Sequence, residues 1–217
     1  MLMTYYMNLL QKGSIGAYIA LGLVGLAALF ILMQAILSYG RGTSRSVFRL
    51  LTLGGCALVS LFFAPTIGGI VIPDKTVGEI LPIKSEVLAP ILEASAAEVL
   101  LPFLFVAIFF ASAILIVIPY KLICGIFGFS YERNNMATRL FAILVGTVNA
   151  LMIFYIVLLP FFGCMRLYRK AAIEKPDSAA ASIYEKYIED TTESPLYRYA
   201  MEYAGDRALN KLSKTEK

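Results

Sequence analysis

In the run RGTSRSVFR, Arg41, Arg45 and Arg49 recur at four-residue spacing. A helix through them carries all three guanidiniums on one face, within reach of phosphates, while the backbone continues into the next apolar segment. No other set of residues lines up as well for chemistry. The chain has no histidine, which removes the commonest general base and metal ligand together. Its three cysteines, Cys56, Cys124 and Cys164, are odd in number and widely spaced, so neither a Cys-x-x-Cys site nor a disulfide framework is legible. They read as small packing residues. Neither a serine–histidine pair nor an aspartate pair falls within the apolar stretches, which speaks against intramembrane proteolysis. Catalytic, cofactor-binding and metal-binding residues are therefore not expected, and the chain reads as a non-enzyme.

The elements that position these arginines are four uncharged apolar stretches, at about 13–40, 50–73, 99–120 and 140–165, each bounded by charged residues. Roughly 20 apolar residues cross the hydrocarbon core, and each stretch is long enough. With 59% hydrophobic and 16% charged residues in 217, little remains for a separate soluble core. The expectation is an all-α polytopic membrane protein with four transmembrane helices, amphipathic interfacial helices and a short helical C-terminal tail. Residues 1–165 form the membrane domain and 166–217 the tail. Residues 1–12 lack the basic start of a signal peptide, and the apolar run after them is too long for cleavage, so it is expected to stay as an anchor. The net charge of +4 comes from basic residues at helix ends, a distribution that suits lipid head groups and not nucleic acid.

Within the first stretch Gln34 is the one strongly polar side chain, to be met at the interface or by a neighbouring helix. Residues 74–98 carry Asp74, Glu79, Glu86, Glu93 and Glu98 against Lys75 and Lys84, with apolar residues near helical spacing and breaks at Pro82 and Pro90. Short amphipathic helices lying on the membrane fit this pattern. Pro119 is expected to kink or end the third helix, with residues 122–130 as a continuation or an interfacial elbow. In the fourth stretch Ala142, Gly146 and Ala150 form a small-residue ridge for close helix packing, with Asn149 beside it to bond across. In the tail, one helix is expected over about 178–189. A second opens with Ser194 as N-cap and Pro195 at its first position, presenting Leu196, Tyr199, Tyr203 and Leu209 to one side. Five of the thirteen tyrosines lie between Tyr184 and Tyr203. They suit a membrane interface or a helix groove, or else docking on the protein's own membrane domain.

Lys12 precedes the first helix and Arg41, Arg45 and Arg49 follow it, which places the basic turn in the cytoplasm and both termini outside. Arg166, Arg169 and Lys170 then fall outside, against the rule. The first helix carries the greater weight.

The run SYGRGTSRSVFRLLTLGG resembles the Arg-Gly-x-x-Arg signature of the colicin V production (CvpA) family through Arg41, Gly42 and Arg45. TRLFAILVGTVNALMIFYIVLLP is similar to that family's entry into its last helix through Arg139 and Gly146, and ESPLYRYAMEYAGD to its short closing helix. Thr138 stands where the family usually has Asp, Ala142 where it has a first Gly, and Ala150 where a third is common. The resemblance implies a bacterial inner-membrane protein of four helices, linked to peptide-toxin production or export and to envelope maintenance. In some relatives an extracytoplasmic protease follows such a domain, which agrees with an external tail.

Three classes of function follow: an accessory protein, a small channel or transporter subunit, and an intramembrane enzyme. Ionisable residues are absent from the four stretches, which disfavours a proton-coupled pump. A passive pore lined by Ser60, Thr66, Ser112 or Thr147 stays open. The accessory reading leads, with Arg41, Gly42, Arg45, Arg49 and Arg139 as candidates for contact with partners or head groups. Its expected partners are the lipid bilayer and other envelope or export proteins. A homo-oligomer is open, and nucleic acid is not expected.

Overall fold

The computed structural model describes residues 2–127 and 135–200, and the chain is all-α. In order the helices are α1 (Leu2–Lys12), α2 (Ile15–Arg41), α3 (Thr43–Val71), α4 (Val77–Ile80), α5 (Ala89–Leu92), α6 (Ala96–Phe127) and α7 (Met136–Glu174). The tail holds α8 (Ala179–Ile183), a π-helical turn (Tyr184–Ile188), α9 (Glu189–Thr192) and α10 (Pro195–Ala200). Four helices, α2, α3, α6 and α7, are long and apolar enough to cross a bilayer.

Their side chains are sorted as lipid demands and water would not. Leu29, Leu51, Ile70 and Leu115 are 70 to 81% exposed, whereas Ala17, Ala64, Ala142 and Ala150 are completely buried. In water each such exposed leucine forgoes roughly 1.5–3 kcal/mol of burial, while in hydrocarbon the penalty disappears and small residues let backbones close up. The chain is a multi-pass membrane protein.

Two compact units divide it. Unit 1 comprises Met1–Leu26, Pro65–Leu104 and Leu158–Lys217, and unit 2 comprises Ala27–Ala64 and Phe105–Val157. In unit 1, Gly13 with φ +61° separates α1 from α2. Ser14 then caps α2, its Oγ accepting from the Ala17 N–H at 3.0 Å. The connection between α3 and α6 is closed at its base: Val77 N–H donates to Ala94 O at 3.1 Å, and Ala96 N–H to Lys75 O at 2.8 Å. Its helices are single turns, shorter than the amphipathic pattern suggests, and Pro90 starts α5 instead of breaking it. Tyr168 of α7 donates its hydroxyl to Val87 O at 2.9 Å.

The tail begins later than expected, because α7 continues through Arg166, Arg169 and Lys170 to Glu174. Ser194 accepts from the Tyr197 N–H, as expected of an N-cap, and Ser178 caps α8 by accepting from the Ala181 N–H. Tyr197 meets Phe162 edge-on at 5.2 Å within a cluster that includes Met165, Leu158 and Ile188. The tail therefore docks on the protein's own helix. Tyr203 and Leu209 lie outside the described residues.

In unit 2, α3 begins at Thr43 and not at 50. Gly42 separates it from α2 with φ +82°, a conformation that favours glycine. The single arginine face is thereby corrected: Arg41 ends α2, and only Arg45 and Arg49 share a helix. Pro119 does not end its helix either, since α6 runs on to Phe127. Of the two alternatives for residues 122–130, the helix takes the continuation as far as Phe127, and residues 128–130 lie outside the described residues.

Candidate functional site

Polar side chains inside the spans of unit 2 gather where α2, α3 and α7 approach one another. Gly42 N–H bonds back to Ser38 O at 3.1 Å, and Ser46 returns both its N–H, at 3.2 Å, and its hydroxyl, at 2.9 Å, to Gly42 O. The reversal thus satisfies its own backbone, and α3 is led back along α2. Arg49 Nη1 then donates to Gln34 Oε1 at 3.0 Å, so the amide in the first span is answered from the second. Opposite them, the α7 ridge closes at Gly146. A Cβ there would fall well inside contact distance of the Ser38 side chain and 3.1 Å from Gln34 O. Ala142 and Ala150 are buried above and below.

Asn149 Nδ2 donates to Ser46 O at 3.2 Å, joining α7 to α3, while its Oδ1 has no partner among the described residues. Thr43 donates its hydroxyl to Thr138 O, which ties together the first turns of α3 and α7. The Arg139 guanidinium lies over the Tyr39 ring, 5.4 Å from its centre. The fold therefore brings Gly42, Arg49, Arg139, Ala142, Gly146, Asn149 and Ala150 into one unit, with exposed Arg45 at its rim.

The hydroxyls of the pore alternative bond back to their own helices where their partners are known. Ser60 donates to Cys56 O at 2.8 Å, Ser112 to Phe109 O at 3.0 Å, and Thr147 to Ile143 O at 3.1 Å, each on its own helix. Thr66 is not free either. Among the described residues no group of Cys, Asp or Glu is placed to hold a metal ion.

A second polar cluster, in unit 1, went unrecognised in the sequence. Asp190 is buried and receives Lys12 Nζ on Oδ1 at 2.6 Å and the Ser14 hydroxyl on Oδ2 at 2.5 Å. Tyr5 donates to its backbone carbonyl at 3.2 Å. Gly16 makes room for this approach: a Cβ would sit 3.0 Å from Asp190 Oδ2 and 3.3 Å from Lys186 O. Tyr184 and Thr192 share a hydrogen bond of 2.8 Å across the π-helical turn.

Burial pushes the Asp190 carboxyl up, but the hydrogen bonds from Lys12 and Ser14 outweigh it and hold the group below its ordinary value. The bond to Asp190 raises Lys12 correspondingly. Tyr5 is pushed up to about 12, by burial first and then by Glu193, Asp190 and Tyr6. All three groups stay in the forms that bond, so the cluster is a tether between the two termini and holds no activated nucleophile. The sequence signal was faint. Nothing in the sequence singles out Asp190 among Glu185, Glu189 and Glu193.

No protein-family model matches this chain, and neither a curated protein nor a solved structure does.

Proposed function

We propose that the chain is a non-catalytic accessory protein of a bacterial inner membrane, with both termini outside the cytoplasm. It acts by contact with other envelope proteins in peptide-toxin export or envelope maintenance, as its resemblance to the colicin V production family implies. One observation carries the accessory role. Ser46, Ser60, Ser112 and Thr147 bond to their own helices, while Gln34 is met by Arg49 and the Asn149 amide N–H by Ser46 O on neighbouring ones. That commitment favours a structural scaffold over a water-lined conduit, whose hydroxyls would face the lumen.

The partner-facing surface is the connection between α3 and α6. There Leu81, Ile83 and Val87 stand about half exposed outside the spans, among Glu79 and Glu86. A photo-crosslinking residue at Ile83, in native membranes, is expected to capture a discrete protein, whereas the same residue at Leu115 captures only lipid. Loss of toxin export or of envelope-stress resistance on Ile83→Glu/Val87→Glu, with normal insertion, supports the reading. Full function in that variant refutes it. Ion conductance by the purified protein, abolished by substitution at Ser112 or Thr147, would replace it with a channel.

A further inference from the structure

The first helix of unit 1, α1, has three different faces. Leu9 is buried with Ala17 and Ala20 of α2, and Tyr5 and Tyr6 pack against them. Met7 and Leu10, three residues apart and so neighbours on the helix surface, are more than half exposed. Thr4, Asn8 and Gln11 recur at spacings of four and three and form an exposed polar stripe. Packing on α2 accounts for the first face, and water suits the polar one. The apolar stripe needs a different neighbour.

Position decides which one. Gly13 and Ser14 alone separate α1 from α2, which is a span. At about 1.5 Å per residue the 26 residues of that span reach about 39 Å, against about 30 Å of hydrocarbon, so its ends stand in the head-group layers. Ala17 and Ala20 lie about 3 and 8 Å beyond its first residue, Ile15. A helix packed on those alanines lies at the depth, about 5–10 Å, at which surface helices bury their apolar faces. Ile15 and Tyr18, in the same two turns of α2, are exposed too, so the span meets lipid at this level as well. Lys12, the charge that ends α1, is engaged by Asp190 at 2.6 Å. Apolar contact, and not head-group charge, is what remains to seat the helix.

We propose that α1 is an interfacial helix whose Met7 and Leu10 side chains enter the acyl chains of the adjoining leaflet, with Thr4, Asn8 and Gln11 at the water. Because Tyr5 and Lys12 of that helix hold Asp190, the tail is thereby fixed to a lipid-seated element. The surface is independent of the accessory role, and it needs only the membrane reading of the fold.

The full chain in phosphatidylcholine nanodiscs tests it, with native cysteines replaced and single cysteines carrying an environment-sensitive fluorophore. Labels at Met7→Cys and Leu10→Cys should lose about half or more of their emission when the lipid bears a nitroxide high on its acyl chain, and iodide in the water should quench them little. Asn8→Cys and Gln11→Cys should show the reverse. Equal iodide quenching at all four positions would place the stripe in water and overturn the proposal. Shielding of Met7→Cys and Leu10→Cys from both quenchers would show a protein cover, a second copy or another chain, and overturn it as well. If the labelled chain fails to fold, read as lost hydrogen-exchange protection over 189–198, a photo-crosslinking residue in the otherwise unaltered chain decides. At Leu10 it should capture phospholipid, and at Gln11 at least about threefold less. Equal capture at the two positions, or none at Leu10, overturns the proposal.

Discussion

Lys12→Met should release the tail, and its cost can be worked from the Asp190 cluster. The Asp190 side chain is 7% exposed, but that of Lys12 is 56% exposed. Breaking a fully buried pair costs about 3–5 kcal/mol, whereas an exposed pair contributes about 0–1. Because Lys12 stands more than half in water, its removal should cost about 1–2 kcal/mol. Most of that is the desolvated carboxylate left with only the Ser14 hydroxyl. Asp190→Ala removes both charge-assisted bonds and should cost more, about 2–4 kcal/mol, since each such bond contributes about 1.5–3 before Lys12 regains water. In the double variant Lys12→Met/Asp190→Ala neither charge is stranded. Its loss should therefore fall short of the summed single losses by about 1 kcal/mol. Amide hydrogen exchange over 189–198 in nanodiscs reads these changes directly. A 2 kcal/mol weakening accelerates exchange about 30-fold when docking is the opening step. Exchange unchanged within about twofold in Lys12→Met would refute the tether.

The same cluster sets a pH window. Asp190 lies below its ordinary 3.8 in the folded chain, so its contribution is complete above that value and is lost as pH falls through the folded pKa. Lys12 lies above 10.5, so its contribution is complete below that value and fades as pH rises through the folded pKa. Tail protection should be flat between about pH 5 and pH 9 and should fall only in stronger acid or base; a midpoint near neutrality in thermal melts would contradict the assignment. At the ridge, Gly146→Ala already places a methyl against Ser38 and should cost about 1–3 kcal/mol in detergent thermal stability, with partial rescue by Ser38→Gly. Gly146→Leu should be at least as costly, and parental stability in either variant would mean that α7 does not close on α2. Gly42→Ala meets the positive φ and should cost about 1–2 kcal/mol by the same assay. With native cysteines removed, exposed positions Ser44→Cys and Glu185→Cys should react from opposite sides of the membrane with an impermeant thiol reagent, Glu185→Cys in intact cells. The reverse pattern would invert the proposed topology.

The spans were legible because lipid imposes a one-dimensional rule: about 20 apolar residues between charges suffice, whatever the neighbours are. The tail cap was legible for the same local reason. Ser194 acts on an amide three residues away, and proximity in sequence guarantees proximity in space. The Ala142, Gly146 and Ala150 spacing marked one face of α7, yet it could not say that Ser38 and Gln34 would meet it. The three arginines show the limit of periodicity. Four-residue spacing put them on one face only while the helix was assumed to continue, and Gly42 breaks it between Arg41 and Arg45.

What the sequence determined by itself is the class of the protein: all-α, four spans, small residues at one helix face, and a tail helix opened by Ser194. Tertiary structure alone decided the pairings. Gln34 meets Arg49 across a glycine reversal, Asn149 reaches Ser46 O across 103 positions, and Asp190 finds Lys12 and Ser14 nearly the whole chain away. Those partners depend on which helix faces meet, a property of packing in three dimensions. A polar residue's need for a partner is written in its own side chain, but the partner's identity is not.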